Sequence, residues 1–132
     1  MDLADLDTVA RGDAGAWLEL RHPGTGDVLK DDQGNPWALL LAGADSHVYR
    51  KAREDIKTAR AARGRSGDLS QAELDEDFIA LLTRATLGWK NLTDGGQPYP
   101  FTPENAKRLY AMPWVREQAG LFGMNRSNYL GN

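Results

Sequence analysis

Apolar and polar positions change rhythm along this chain, from strict alternation to helical spacing. Across residues 16–21 they alternate: Trp17, Glu19 and Arg21 fall on one side of an extended segment, Leu18 and Leu20 on the other. Residues 22–27 (His-Pro-Gly-Thr-Gly-Asp) and 31–36 (Asp-Asp-Gln-Gly-Asn-Pro) have turn composition, with Val28-Leu29 extended between them. Trp37-Ala38-Leu39-Leu40-Leu41 is apolar without interruption, as expected for a strand covered on both faces or central in a small sheet. Together these segments predict a three-stranded antiparallel meander over residues 15–42. A sheet that small needs a second layer, and the remaining sequence offers only helices.

From residue 46 the period is helical. Val48, Ala52, Ile56 and Ala59 form one stripe of a helix that runs to about Arg63, capped by Asp45 or Ser46. Gly64-Arg65-Ser66-Gly67 breaks it. Ser70-Gln71-Ala72-Glu73 has the form of a capping box. It opens a helix with Leu74, Phe78, Leu81, Leu82 and Ala85 on one face. Leu87-Gly88-Trp89-Lys90-Asn91-Leu92 has a mixed pattern, and residues 93–98 read as a turn. Thr102-Pro103 starts a further helix that buries Ala106, Leu109 and Tyr110. Pro113 starts the last one, along which Trp114, Gln118, Leu121 and Phe122 align. The helical part thus spans residues 46–124. Residues 1–14 read as a loosely held start in which Leu3, Leu6 and Ala10 share a face, and residues 125–132 as a tail. The fold class is α+β, mainly α: a small N-terminal sheet packed on about four helices, in a single domain of 132 residues.

Composition removes whole classes of function. There is no cysteine, which excludes a disulfide scaffold, a thiolate metal site and a thiol nucleophile. A net charge of −3 argues against a general nucleic-acid binder. The start is acidic rather than basic, and the longest apolar run is six residues, so neither a secretory leader nor a membrane span is expected. The two histidines, His22 and His47, have no Ser or Asp at a recognised triad spacing. Asp31 to Asn35 lacks the alternating ligands and closing glutamate of a calcium loop, so a turn is the simpler reading. No catalytic residue, metal or cofactor is expected.

Charge and aromaticity carry more. Residues 46–65 hold seven bases against two acids, and residues 66–79 hold five acids and no base. Either the two helices attract each other across a hairpin, or the surface is self-complementary between copies. Nucleic-acid binding by the basic helix is the weakest of the three readings. Arg50, Arg53, Lys57 and Arg60 are accordingly the candidate self-association residues. Aromatic residues crowd the last third of the chain, where Trp89, Tyr99, Phe101, Trp114 and Phe122 are candidates for a partner-binding groove.

Three stretches, in this order, resemble the small tail assembly chaperones of tailed bacteriophages and prophages. They are Gly15-Ala16-Trp17-Leu18-Glu19-Leu20-Arg21-His22-Pro23-Gly24-Thr25-Gly26, then Leu41-Ala42-Gly43-Ala44-Asp45-Ser46-His47-Val48-Tyr49-Arg50. The third runs from Trp89-Lys90-Asn91-Leu92 through Pro100-Phe101-Thr102-Pro103-Glu104-Asn105-Ala106 to Pro113-Trp114-Val115-Arg116-Glu117-Gln118. The resemblance covers most of residues 15–130. It implies a non-enzymatic protein of the host cytoplasm that binds the tape-measure protein and tail-tube subunits during tail morphogenesis. It also implies a homo-oligomer that leaves before the virion matures. A structural virion component, such as a tail completion, connector or minor tail protein, is the alternative, and a small hydrolase using His22 or His47 is a more distant one.

Overall fold

The computed structural model describes residues 1–64 and 67–131. Arg65 and Ser66, at the centre of the expected helix break, and Asn132, at the end of the expected tail, lie outside the described residues.

The protein is α+β, mainly α, with a small three-stranded antiparallel sheet. Strand β1 (Ala16–Glu19) pairs with the central strand β2 (Ala38–Leu41), matching Ala16 with Leu41 and Glu19 with Ala38. The third strand is not the expected Val28-Leu29. It is β3 (Thr86–Lys90), which follows two helices and pairs with the free edge of β2. Residues 28–30 make only isolated bridges, Val28 with Arg21 and Lys30 with Pro36. The physical reason is length. Two apolar residues between two tight turns cannot cover a four-residue edge, whereas Thr86–Lys90 can. A register shift opposite Leu40 and Leu41 leaves Leu87 bulged outward. Gly15, at φ +82°, lies so close to this point that a Cβ would stand 2.9 Å from the Leu87 side chain.

The helices follow the capping signals. Helix α2 (His47–Ala62) is capped by Ser46, whose buried hydroxyl accepts the Tyr49 N–H at 3.0 Å. Helix α3 (Gln71–Ala85) starts at the Ser70/Glu73 capping box. Helices α4 (Pro103–Tyr110) and α5 (Pro113–Met124) both carry proline at their first turn. The main core joins the inner face of the sheet (Leu20, Leu39, Leu41) to Leu82, Leu109, Tyr110, Val115 and Ala119. Leu18 and Leu20 point inward and Trp17 and Glu19 outward, as the alternation requires. Two helical faces differ from expectation. On α2 the buried positions are Tyr49, Ala52 and Arg60, with Ala59 outside. On α5 they are Val115, Ala119 and Gly123, which leaves Leu121 68% exposed.

Both chain ends are held more firmly than their composition suggests. Residues Thr8–Ala14 form a helix, α1, with Asp7 as its cap. Gly12 is buried against Ser46, and its carbonyl accepts the Gly43 N–H. Asp13 accepts from the Val48 N–H at 3.1 Å and meets His47 at 2.7 Å. Residues 1–7, including the 3-10 turn Leu3–Leu6, are exposed. At the other end Arg126–Tyr129 is a 3-10 turn that buries Tyr129 against Gly43. Asp45 ties the two ends together, accepting from Thr8 Oγ1 at 2.8 Å and from Arg126 Nε at 2.6 Å. The link was invisible locally because its partners lie 37 and 81 positions away. Among the described residues no helix is long and apolar enough to cross a membrane.

Candidate functional site

Strand β3 ends at Lys90 and delivers Trp89 to one end of the sheet. The chain then turns through Asn91, at φ +70°, into a two-stranded hairpin, β4 (Thr93–Asp94) and β5 (Gln97–Pro98). The hairpin returns Tyr99 to Trp89. The rings stack at 5.6 Å with planes 5° apart, and Trp89 Nε1 donates to the Tyr99 carbonyl at 2.7 Å. Phe101 meets the same indole edge-on at 4.9 Å. The Tyr99 hydroxyl donates to the Asn105 carbonyl, and Asn105 Nδ2 donates to the Pro100 carbonyl. The extended 99–101 segment is thereby fixed to the first turn of α4, where Thr102 caps and Pro103 begins the helix.

On the far side of Tyr99 this arrangement encloses an apolar cavity of about 420 Å³. Trp37, Leu92, Tyr99, Leu109, Met112 and Trp114 wall it. Its rim is polar. Arg108 Nη2 donates to Asp94 at 3.2 Å and its guanidinium lies 5.6 Å from the Tyr99 ring centre. Met112, at the junction of α4 and α5, is 40% exposed. The cavity therefore combines aromatic walls, a deformable thioether and one ion pair at the mouth. Such a lining holds an apolar side chain and a neighbouring polar group.

The structure divides the five groove candidates. Trp89, Tyr99 and Phe101 form one ring cluster, and Trp114 shares the cavity with Tyr99. Phe122 belongs to neither. It packs edge-on against Tyr129 at 5.9 Å and faces a shallow hollow beside the turn of residues 22–26. Spacing on α5 put it with Trp114, but the two are eight residues apart, more than two turns. The cavity also takes Trp37 and Met112, which are not among the five: pattern places Trp37 in the apolar strand run, and no local pattern marks Met112 as exposed.

The four basic candidates also separate. Arg60 is no docking residue: it is buried, and it is held by Asp77 at 2.6 Å, Glu73 at 3.2 Å and Glu76 at 3.5 Å. The opposed charges of α2 and α3 thus meet within one chain at Arg60. Asp55 does the same further along, where Lys51 and Arg84 pull its carboxyl below the usual range. Arg50, Arg53 and Lys57 remain exposed. Arg53 lies over the Tyr49 ring at 5.1 Å. Arg53 and Lys57 border a second cavity of about 420 Å³, between α2 and α3, floored by Ile56, Leu69, Phe78 and Leu81.

The histidines serve local structure. His22 Nδ1 accepts from the Gly24 and Thr25 N–H groups, pinning its own turn. The His47–Asp13 pair, which spacing did not foresee, caps α2. Burial pushes the Asp13 carboxyl up, but the His47 and Val48 hydrogen bonds outweigh it and leave it below its ordinary value. Among the described residues no hydroxyl bonds to the His47 ring. The Asp31 carboxylate takes the Gln33 and Asn35 N–H groups, which makes residues 31–35 a self-contained turn. Comparison with protein-family models, curated proteins and solved structures gives no match.

Proposed function

We propose that this chain is a tail assembly chaperone of a tailed bacteriophage or prophage, which binds the tape-measure protein and tail-tube subunits in the host cytoplasm. One observation carries the reading. The third family-like stretch, dispersed over residues 89–118, supplies Leu92 and Trp114 to a single open apolar cavity, where Tyr99, the residue before its Pro100-Phe101 segment, joins them. A motif that converges on an exposed hollow, rather than on the core alone, is what a binding role needs. A long helical partner exposes apolar stripes that aggregate unless covered. Inserting one leucine-sized side chain between Tyr99 and Trp114 gains about 1.5–3 kcal/mol. The Asp94–Arg108 pair at the mouth selects polar neighbours on the inserted helix.

The experiment is co-expression with the tape-measure protein of the same phage or prophage. The expected result is a soluble, co-purifying tape measure. Met112→Asp places a charge at the cavity mouth without disturbing a buried residue, and it should reduce retention of the tape measure at least about tenfold. A tape measure equally insoluble with and without this chain refutes the proposal. Mass spectrometry of purified particles separates the remaining role: stoichiometric presence in mature tails makes it a structural component.

A further inference from the structure

The cavity between α2 and α3 is distinct from the one beside Trp114 and shares no lining residue with it. Its floor is apolar and its α2 rim is cationic. Arg53 and Lys57 on that rim have no acidic partner among the described residues, while Arg60 and Asp77 at the inner end neutralise each other. The same chain displays a segment of the opposite character. In the 3-10 turn Leu3–Leu6, residues three apart stand above one another, so Leu3 and Leu6 form one apolar ridge. Leu3 is 88% exposed and Leu6 48%, so their own chain leaves both largely uncovered. Asp2, Asp5 and Asp7 flank this ridge. Asp7 caps α1, and the exposed Asp5 carboxylate accepts the Asp2 N–H at 2.9 Å and lies 3.7 Å from Arg11.

We infer that the Leu3–Leu6 turn of one copy docks into the α2–α3 groove of a second copy, joining the chains by reciprocal exchange. Leu3 and Leu6 cover Phe78 and Leu81, and Asp2 and Asp5 face Arg53 and Lys57. The charges fix the orientation. The opposite placement sets the aspartates against the net-negative cluster of Glu73, Glu76 and Asp77 around Arg60. Exchange between two copies forms the contact twice, which closes the pair with twofold symmetry and leaves no free groove. The inference does not rest on the tape-measure reading, because it uses neither Trp114 nor its cavity.

The absence of cysteine makes the test clean. Leu3→Cys is made in one preparation and Ala61→Cys in another, and the two are mixed under mild oxidation. Any product joins two chains. The expected result is a covalent pair that forms at least about tenfold faster than the control mixture of Leu3→Cys with Gln97→Cys, on the remote hairpin. Charge reversal by Arg53→Glu with Lys57→Glu should weaken dimerisation about tenfold or more by sedimentation, and Asp2→Lys with Asp5→Lys in the mixing partner should restore it. Circular dichroism confirms that each variant is folded. Cross-linking no faster than the control overturns the inference, as does a monomer at about 100 µM. A double variant, Leu3→Cys with Ala61→Cys, that closes only within one chain also overturns it, because the turn would then occupy its own groove.

Discussion

Tyr110 and Thr86 provide the sharpest test of the core, because their hydrogen bond has a direction that the geometry fixes. Tyr110 has no exposed surface, and burial holds its phenol protonated well above the ordinary range. Thr86 Oγ1 lies 2.7 Å from the Leu82 carbonyl and 2.5 Å from the Tyr110 hydroxyl. A carbonyl only accepts, so the single threonine proton goes to Leu82 and Tyr110 donates to Thr86. The two truncations are therefore unequal. Tyr110→Phe removes a donor and leaves a threonine that still donates, at a cost of about 1 kcal/mol. Thr86→Val leaves a buried phenol with nothing to donate to, while Leu82 keeps the Thr86 backbone N–H. That cost is about 2–3 kcal/mol. The double variant should lose about 2 kcal/mol rather than the sum, giving a coupling of about 1 kcal/mol or more. In a chain of this length each kcal/mol shifts Tm by roughly 4 °C. Urea unfolding followed by tryptophan fluorescence measures all four corners of the cycle, with m unchanged. If Thr86→Val costs no more than Tyr110→Phe, or the two effects add within about 0.3 kcal/mol, the assigned direction is wrong.

Three further outcomes test other parts of the fold. Gly12→Val should destabilise by about 2 kcal/mol, since a Cβ there stands 3.2 Å from Ser46 Cβ and 3.3 Å from its backbone N; a loosely held helix would gain slightly from losing glycine, so thermal melts decide by sign alone. Ser46→Ala removes the buried cap of α2 and should cost about 1–2 kcal/mol, read from the urea midpoint. Asp45 is held at about 2 by the Arg126 and Thr8 hydrogen bonds. Its folded value is depressed, so its contribution is complete above the unfolded value near 4 and is lost as pH falls towards 2. The stability gap between the natural chain and Asp45→Asn should shrink over that window, and a gap that is constant from pH 6 to pH 2 contradicts the clamp.

Local sequence announced four helix starts, though not that of α1, whose Asp7 cap also reads within three residues. Ser46 or its neighbour, the Ser70/Glu73 box, Thr102-Pro103 and Pro113 each announce a helix start through the orphan N–H groups that they satisfy or spare. Alternation likewise sorted Trp17 and Glu19 from Leu18 and Leu20, and the unbroken run after Trp37 marked the central strand. What depended on residues far apart in the chain was decided only by tertiary structure. The edge of β2 takes its partner from whichever extended segment is long enough to satisfy its backbone, and that was Thr86–Lys90, 45 or more residues beyond β2. Asp45 binds both chain ends, which composition alone marks as loose. Arg60 turns inward because three carboxylates meet it across the hairpin, while Arg53, two turns earlier on the same side of α2, meets none among the described residues. The aromatic residues were legible as a set, but not as an arrangement: the hairpin stacks Tyr99 on Trp89, Trp37 arrives from a distant strand, and Phe122 turns to Tyr129. Periodicity says which side of an element faces inward, because it depends on the backbone's own geometry. It does not say which other element waits there, because that depends on how the whole chain minimises its uncovered apolar surface and unpaired polar groups at once.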